Sequence, residues 1–221
     1  MSTMKLMKEG TVYVLTLTNG TEANTFTEDV VGEYNDILDE LEASSENASL
    51  ILTSDDPKFW CNGVNLDWIL GQPHDYFPKF VQLLDELFLR FAMLPMPAVG
   101  CLTGHTYAGG AVLATTLDFR IMRKDKGFFC FPEVDIKIPF SSVMYEILRL
   151  LPDYALNELL LTGKRVGGSE ALLMKIVSAV YPQEILFDKA MELATLLAQK
   201  DRKTYTKIKR GLRQNLVRFT L

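Results

Sequence analysis

The sequence predicts an α/β fold, and three observations predict it. An alternating apolar segment near the N-terminus is followed by a stretch with helical spacing and then by a short apolar run. Strand, helix, strand in that order implies a crossover unit and a parallel sheet. The pattern recurs as far as Phe131, with Gly-containing junctions between elements. Beyond that point the chain reads as helical.

"TVYVLTLTNG" places Val12, Val14, Leu15 and Leu17 in an alternating run that ends in Asn-Gly, a strand entering a turn. In "TFTEDVVGEYNDILDELEAS", Val30, Val31, Tyr34, Ile37, Leu38 and Leu41 repeat at helical spacing. Thr27 stands as N-cap, with Glu28 and Asp29 favourable in the first turn. "ASLILTS", residues 48–54, reads as a buried strand, and residues 55–65 as a loop leading into "LDWIL". "YFPKFVQLLDELFLRFAML" is a second amphipathic helix. "MPAVGCLTGH" is another buried strand that breaks at Gly104, and "AGGAVLATTLD" a helix opening on a Gly pair. "FRIMRKDKGFFCF" reads as one strand or two short ones. After "PEVDIKIPFS" the chain is predicted helical, punctuated by Gly163, Gly167, Gly168 and Pro182. No repeat, low-complexity tract or linker is visible. The division expected is a core domain over residues 1–180 and a short C-terminal helical region over 181–221.

Of the 221 residues, 48% are hydrophobic and 23% charged, enough apolar material for one domain with a sizeable core. Net charge is −5, and the only basic stretch, "KDRKTYTKIKRGLR", is mixed and suits a solvated helix face, so no nucleic-acid footprint is expected. Cys61, Cys101 and Cys130 form neither a CxxC pair nor a disulfide framework, which suits a reducing compartment, with the cytoplasm as default. With His74 and His105 the only histidines, no metal site is expected. No apolar run is long enough for a membrane span, and "MSTMKLMKEG" carries no signal-peptide core. The two Asn-x-Ser/Thr sequons, at Asn19 and Asn47, read as chance matches.

Two strand-to-helix junctions share a design. Gly63-Val64 ends one loop, and Ala108-Gly109-Gly110 opens a helix. Glycine permits unusual φ and close approach of backbone to a ligand, and a helix N-terminus offers unpaired N–H groups. Set side by side, the Val64 and Gly109 amides would point at one oxygen, an oxyanion hole built from backbone alone. Spacing by itself is weak evidence and favours plain tight turns, since Gly-rich junctions are common in α/β proteins.

"FWCNGVNLDWIL" resembles the F-x-x-G-x-D-L loop of the crotonase (enoyl-CoA hydratase/isomerase) superfamily. "PMPAVGCLTGHTYAGGAVLATTLDFRIM" is similar to its K-P-x-x-A-x-x-G-x-x-x-G-G-G-x-x-L-x-x-x-C-D-x-R-I segment, and "GFFCFPEVDIKIPF" to the F-x-x-P-E-x-x-x-G-x-x-P segment that follows. "LLLTGKRVGGSEALLMKIVSAVYP" looks like the family's L-x-L-T-G segment. The resemblance covers about Val12 to Val180. It implies a crotonase-like fold of repeated ββα units with a helical C-terminal part, assembled as a homotrimer or dimer of trimers. It implies an acyl-CoA substrate bound with its thioester oxygen on the Val64 and Gly109 amides. CoA is then part of the substrate and no separate cofactor is implied.

The carboxylate count selects the chemistry. Hydratases of the family use two Glu residues on a water molecule. The first of those positions is Val112 here, and the second is Glu133. Valine cannot orient or deprotonate water, whereas one carboxylate can still carry a proton from C2 to C4 of a 3-enoyl thioester. That is the pattern of the Δ3,Δ2-enoyl-CoA isomerase branch, and "MRKDKGFFCFPEVDI" resembles it. Phe129, Phe131, Pro132, Val134 and Ile136 are expected to exclude water around Glu133 and raise its pKa. Hydration, another thioester-enolate reaction, or a non-catalytic acyl-CoA-binding subunit are the competing readings.

Gly63, Asn65, Trp68, Tyr107, Gly110, Val112 and Phe140 complete the expected substrate-binding set. Trp60 and Leu70 are further tunnel candidates, equally explained by packing. His105 and Cys61 read as structural. Lys58 and the C-terminal basic stretch are candidates for the CoA phosphates. Three departures from the family pattern stand out: Asn65 replaces the Asp of G-x-D, Lys137 the Gly of P-E-x-x-x-G, and Phe140 the Gly after the later Pro. These imply an acyl preference unlike that of ordinary hydratases. The last helix is expected over the chain's own site or a neighbour's.

Overall fold

The computed structural model describes residues 2–219. Two strands open the chain, β1 (Met4–Glu9) and β2 (Val12–Leu17), paired antiparallel around Gly10 at φ +60°. β1 was not evident in the sequence because Lys5 and Lys8 fall on opposite faces and break the apolar alternation; pairing with β2 makes it a strand. Helix α1 (Glu28–Ala43) follows, and Thr27 Oγ1 accepts the Val30 N–H at 3.3 Å, the expected N-cap. β3 (Ser49–Ser54) returns parallel to β2.

The next three units repeat one plan. β3 leads to β4 (Phe59–Cys61), α2 (Leu66–Leu70) and α3 (Tyr76–Met93). β5 (Ala98–Leu102) leads to β6 (His105–Tyr107) and α4 (Gly109–Thr116). β7 (Phe119–Arg123) leads to β8 (Phe129–Cys130) and α5 (Glu133–Ile136). The first strand of each unit joins a six-stranded sheet of order β1-β2-β3-β5-β7-β9, and the second joins a three-stranded parallel sheet of order β4-β6-β8.

After α5 come α6 (Ser142–Leu148), α7 (Asp153–Thr162), α8 (Gly168–Leu173), strand β9 (Ala179–Tyr181), α9 (Gln183–Ala198), α10 (Arg202–Leu212) and α11 (Gln214–Val217). Three expectations are corrected. The loop 55–65 contains β4, the run 96–105 gives way to the separate β6, and the region after Ser141 is interrupted by β9, which pairs parallel with β7. Each missed strand has three residues, too few for alternation to register; the ladder to a neighbour defines them.

The large sheet is buried on both faces. Leu15, Leu17, Leu50 and Leu52 face a core with α1 and α3. Val12, Val14, Ile51, Val99 and Ile121 face Leu186, Ala190, Ala194 and Leu197 of α9. Two-sided burial explains why β3 and β5 read as continuous apolar runs. α10 is tied to the residue just past α4. Lys209 Nζ and Arg213 Nη2 each lie 2.9 Å from the Asp118 carboxylate, all three side chains being under a tenth exposed. The end of α10 therefore anchors at the C-terminal end of α4, and α11 packs on α6. No helix among the described residues is long and apolar enough to cross a membrane.

Candidate active site

The three strands of the small sheet run parallel, so their C-terminal ends lie in a row. β4 delivers Gly63 and Val64, β6 delivers Ala108 and Gly109, and β8 delivers Glu133. Neighbouring strands are about 4.8 Å apart, so the row is roughly 10 Å wide.

The first two ends touch. Gly63 has φ +81°, and a Cβ there would lie 2.8 Å from Ala108 Cβ and 3.0 Å from Gly109 N. A Cβ at Gly110 would lie 2.3 Å from Cys61 O. Only glycine allows this approach at both positions. Ala108, at φ 50° and ψ −128°, turns the chain into α4. Among the described residues, neither the Val64 nor the Gly109 N–H has a hydrogen-bond acceptor. Phe26 holds the loop in place. Its N–H donates to Gly63 O at 2.7 Å, and its carbonyl accepts from Asn65 N–H at 3.0 Å.

Glu133 is only 9% exposed, and its Oε2 has no hydrogen-bond partner. Burial pushes its carboxyl up to about 7, with a backbone hydrogen bond pulling the other way. Phe129 and Phe131 are fully buried beside it, as expected. Ile136, 44% exposed, turns outward on the single turn of α5 and is not part of the seal, while Val134, 49% exposed, lines the groove beside Glu133 without closing it. Glu133 is the one acid lining a groove of about 540 Å³ walled by Val134, Ile138, Phe140, Tyr145, Leu156 and Leu160. Lys137 follows α5 at φ 61°, so the residue in place of the family's Gly still adopts the left-handed conformation.

The other expected site residues fall into distinct places. Asn65 caps α2, its Oδ1 accepting the Trp68 N–H at 2.9 Å, which is how an amide serves where the family has Asp. Trp68 packs in an aromatic group with Phe80, at 4.9 Å between ring centres, and Tyr76, at 5.9 Å. Val112 is wholly enclosed in the core, as is Trp60, while Leu70 is exposed. Phe140 stacks edge-on to Phe131 and lines the groove. Tyr107 lies on the face of β6 opposite buried Thr106, beside His105. Cys61 is a buried thiol whose pKa is pushed up to about 12 and whose Sγ donates to Asn24 O, a packing role. Sequence reasoning missed Phe26 as the brace and Leu156 and Leu160 as groove walls. The position of Phe26 just past the Asn-Gly turn was the only available signal.

The description Enoyl-CoA hydratase/isomerase belongs to the family profile that matches residues 7–219. Enoyl-CoA delta isomerase 3 of Arabidopsis thaliana is 31% identical over 225 residues, covering 97% of this chain and 93% of that protein. The peroxisomal enoyl-CoA delta isomerase 2 of the same plant is 32% identical over 187 residues, covering 81% and 78%. Among solved structures, an enoyl-CoA hydratase from Bacillus anthracis superposes with a TM-score of 0.89 at 23% identity, over 96% of this chain and 82% of that one. The ββα repeat, the paired Gly junctions and a match along nearly the whole chain agree: this protein is a member of the enoyl-CoA hydratase/isomerase family of the crotonase superfamily.

Proposed function

We propose that the protein moves the double bond of a 3-enoyl-CoA to give the trans-2-enoyl-CoA, with Glu133 as the sole proton carrier. The observation that carries this reading is a lone, buried carboxylate with an unpartnered oxygen, delivered in line with two free amides. The Val64 and Gly109 N–H groups donate hydrogen bonds to the thioester carbonyl oxygen. The Glu133 carboxylate takes a proton from C2, and the electron pair spreads into a dienolate whose charge rests on that oxygen. The same carboxyl returns the proton at C4, leaving the conjugated thioester. No water enters the balance, which suits an apolar Val112 where a second acid would otherwise hold one. With its pKa pushed up to about 7, Glu133 holds the proton well enough to hand it back, and its basic form grows as pH rises through neutrality.

A spectrophotometric assay with a 3-enoyl-CoA and a trans-2-enoyl-CoA tests the reading. Conjugation raises ultraviolet absorbance, and hydration lowers it. A rise with the first substrate and no change with the second is expected, lost in Glu133→Gln. A fall with the second substrate means hydration; silence with both across several chain lengths leaves a binding role. We place the activity in a reducing compartment such as the cytoplasm, in keeping with three buried free thiols. Assembly as a homotrimer or dimer of trimers, to be read by sedimentation, suits the strongly exposed Leu161, Leu173 and Leu212.

A further inference from the structure

Residues 23–26 run alongside residues 59–65, the loop that carries Val64, and the two segments exchange bonds along most of that length. Asn62 N–H donates to Ala23 O at 3.1 Å and Cys61 Sγ to Asn24 O at 3.1 Å. Phe26 N–H donates to Gly63 O at 2.7 Å, and Asn65 N–H to Phe26 O at 3.0 Å. Phe26 and Val64 form a parallel bridge. Val64 is thus held between two bonds to Phe26, and the direction of its own N–H follows the placement of segment 23–26.

One side chain ties that segment to β4. Asn24 Nδ2 shares its two N–H groups among Ser54 Oγ at 2.9 Å, Phe59 O at 3.2 Å and Trp60 O at 3.2 Å. Ser54 Oγ in turn donates to Phe59 O at 2.9 Å and accepts the Asp56 N–H at 3.0 Å. The amide serves only as a donor, because its Oδ1 has no partner. Turning it over would set that oxygen against two carbonyls, so the acceptors fix its orientation. Asn24 is 5% exposed, and water does not replace these bonds.

The carbonyls it takes belong to the irregular part of β4. The ladder from β4 to β6 shifts register between Phe59 and Cys61, so pairing with β6 does not by itself fix this stretch. The backbone at the other end of the tie is strained. Ala23 and Asn24 stand in succession at φ +53° and +52°, a region that non-glycine residues seldom occupy and that asparagine tolerates better than most. A strained turn, a buried amide and a broken ladder meet one residue away from each other, on the segment that brackets Val64.

We propose that Asn24 is a positioning residue for the oxyanion hole. Its amide pins the irregular stretch of β4 and, through segment 23–26, aims the Val64 N–H at the thioester oxygen. It acts through the backbone and not by contact with the reacting atoms. The proposal rests on the oxyanion reading given above.

The test is the thioester C=O stretch of bound trans-2-enoyl-CoA, read by Raman or infrared difference spectroscopy on the Glu133→Gln background so that the ester is not consumed. Hydrogen bonds to a carbonyl oxygen lower that frequency, and the bound ester should absorb below the free one. Asn24→Gly keeps access to the left-handed backbone and removes the amide. Folded as judged by its thermal melt, it should lose part of the shift. With Glu133 restored, its kcat should fall at least about tenfold, since a misplacement of about 1 Å can cost roughly 100-fold. KM should stay within about twofold, because the dienolate leans on these donors more than the ground state does. Ser54→Ala loosens the same anchor, should give a smaller change of the same kind, and decides the matter if Asn24→Gly does not fold. Ser49→Ala removes a buried hydrogen bond to Ala194 O on the α9 side of the large sheet and should leave both readouts unchanged. A full shift with wild-type kcat in the folded Asn24 variant, or an equal loss in Ser49→Ala, overturns the proposal and leaves the oxyanion reading standing. No shift in Glu133→Gln alone overturns that reading itself.

Discussion

Replacing Glu133 by Gln should abolish turnover and stabilise the fold. The carboxyl is 9% exposed with an unpartnered Oε2, and burial pushes its pKa from 4.5 up to about 7. Between those values the folded chain holds a proton that the unfolded chain has released, so wild-type stability declines as pH rises through that window. The full decline is about 3 kcal/mol. Glutamine keeps the shape, carries no charge and escapes the decline. Urea unfolding of both proteins at pH 4.5 and pH 8 measures it: the variant should gain on the wild type by about 3 kcal/mol between the two, on the order of 10 °C in Tm for a chain of this size. Isomerisation should fall at least 100-fold, roughly the contribution of a positioned acid–base group. Equal pH dependence in the two proteins would refute the argument, because Glu133 would then not be losing its hydration on folding.

Gly63→Ala forces a methyl group to within 2.8 Å of Ala108 Cβ at φ +81°, and should cut kcat/KM by roughly 100-fold through displacement of the Gly109 amide, with far-ultraviolet circular dichroism preserved. Asp118→Asn leaves Lys209 and Arg213 buried beside a neutral group, and should cost about 3 kcal/mol in urea unfolding. Burial pushes the Cys61 thiol up to about 12 and Cys101 and Cys130 up to about 11, so iodoacetamide at pH 8 should label none of them until denaturant is added, as mass spectrometry would report.

The large elements were legible because their signals are local. The helical repeat from Val30 to Leu41 and the cap at Thr27 need no tertiary knowledge, and α1 formed where they point. β7 and β8 are the two short strands that "FRIMRKDKGFFCF" allowed, whereas β4 and β6 were hidden because strands of three residues are defined by partners in other units. That mattered for the site, whose three groups are aligned by β4, β6 and β8. Gly63, Gly109 and Glu133 were named from the motif resemblance, but the contact of Gly63 with Gly109 and the place of Glu133 past the next strand belong to the ladder. The brace at Phe26 and the walls at Leu156 and Leu160 lie far off in sequence and carry no motif. The expectation that Ile136 shelters Glu133 treated neighbours in sequence as neighbours in space. One turn of helix separates the two ideas, since consecutive helical residues point in different directions.

Helix α4 is held at both ends. At its start, Gly110 is pressed against the Cys61 carbonyl so closely that no Cβ fits. At its finish, Arg120 donates to Leu117 O at 2.8 Å and Arg213 to Thr116 O at 2.8 Å, covering the last carbonyls with positive charge. The rod between them has eight residues, about 12 Å. A strut of that length clamped at each tip has little slack, so the Gly109 N–H is aimed before any ligand arrives. On the proposed reading, negative charge developing on an oxygen there would meet a dipole already in position, and none of the stabilisation would be spent on turning it. On that reading the ion cluster around Asp118, at the far end of α4, would be the fixed mount of the donor at the opposite end.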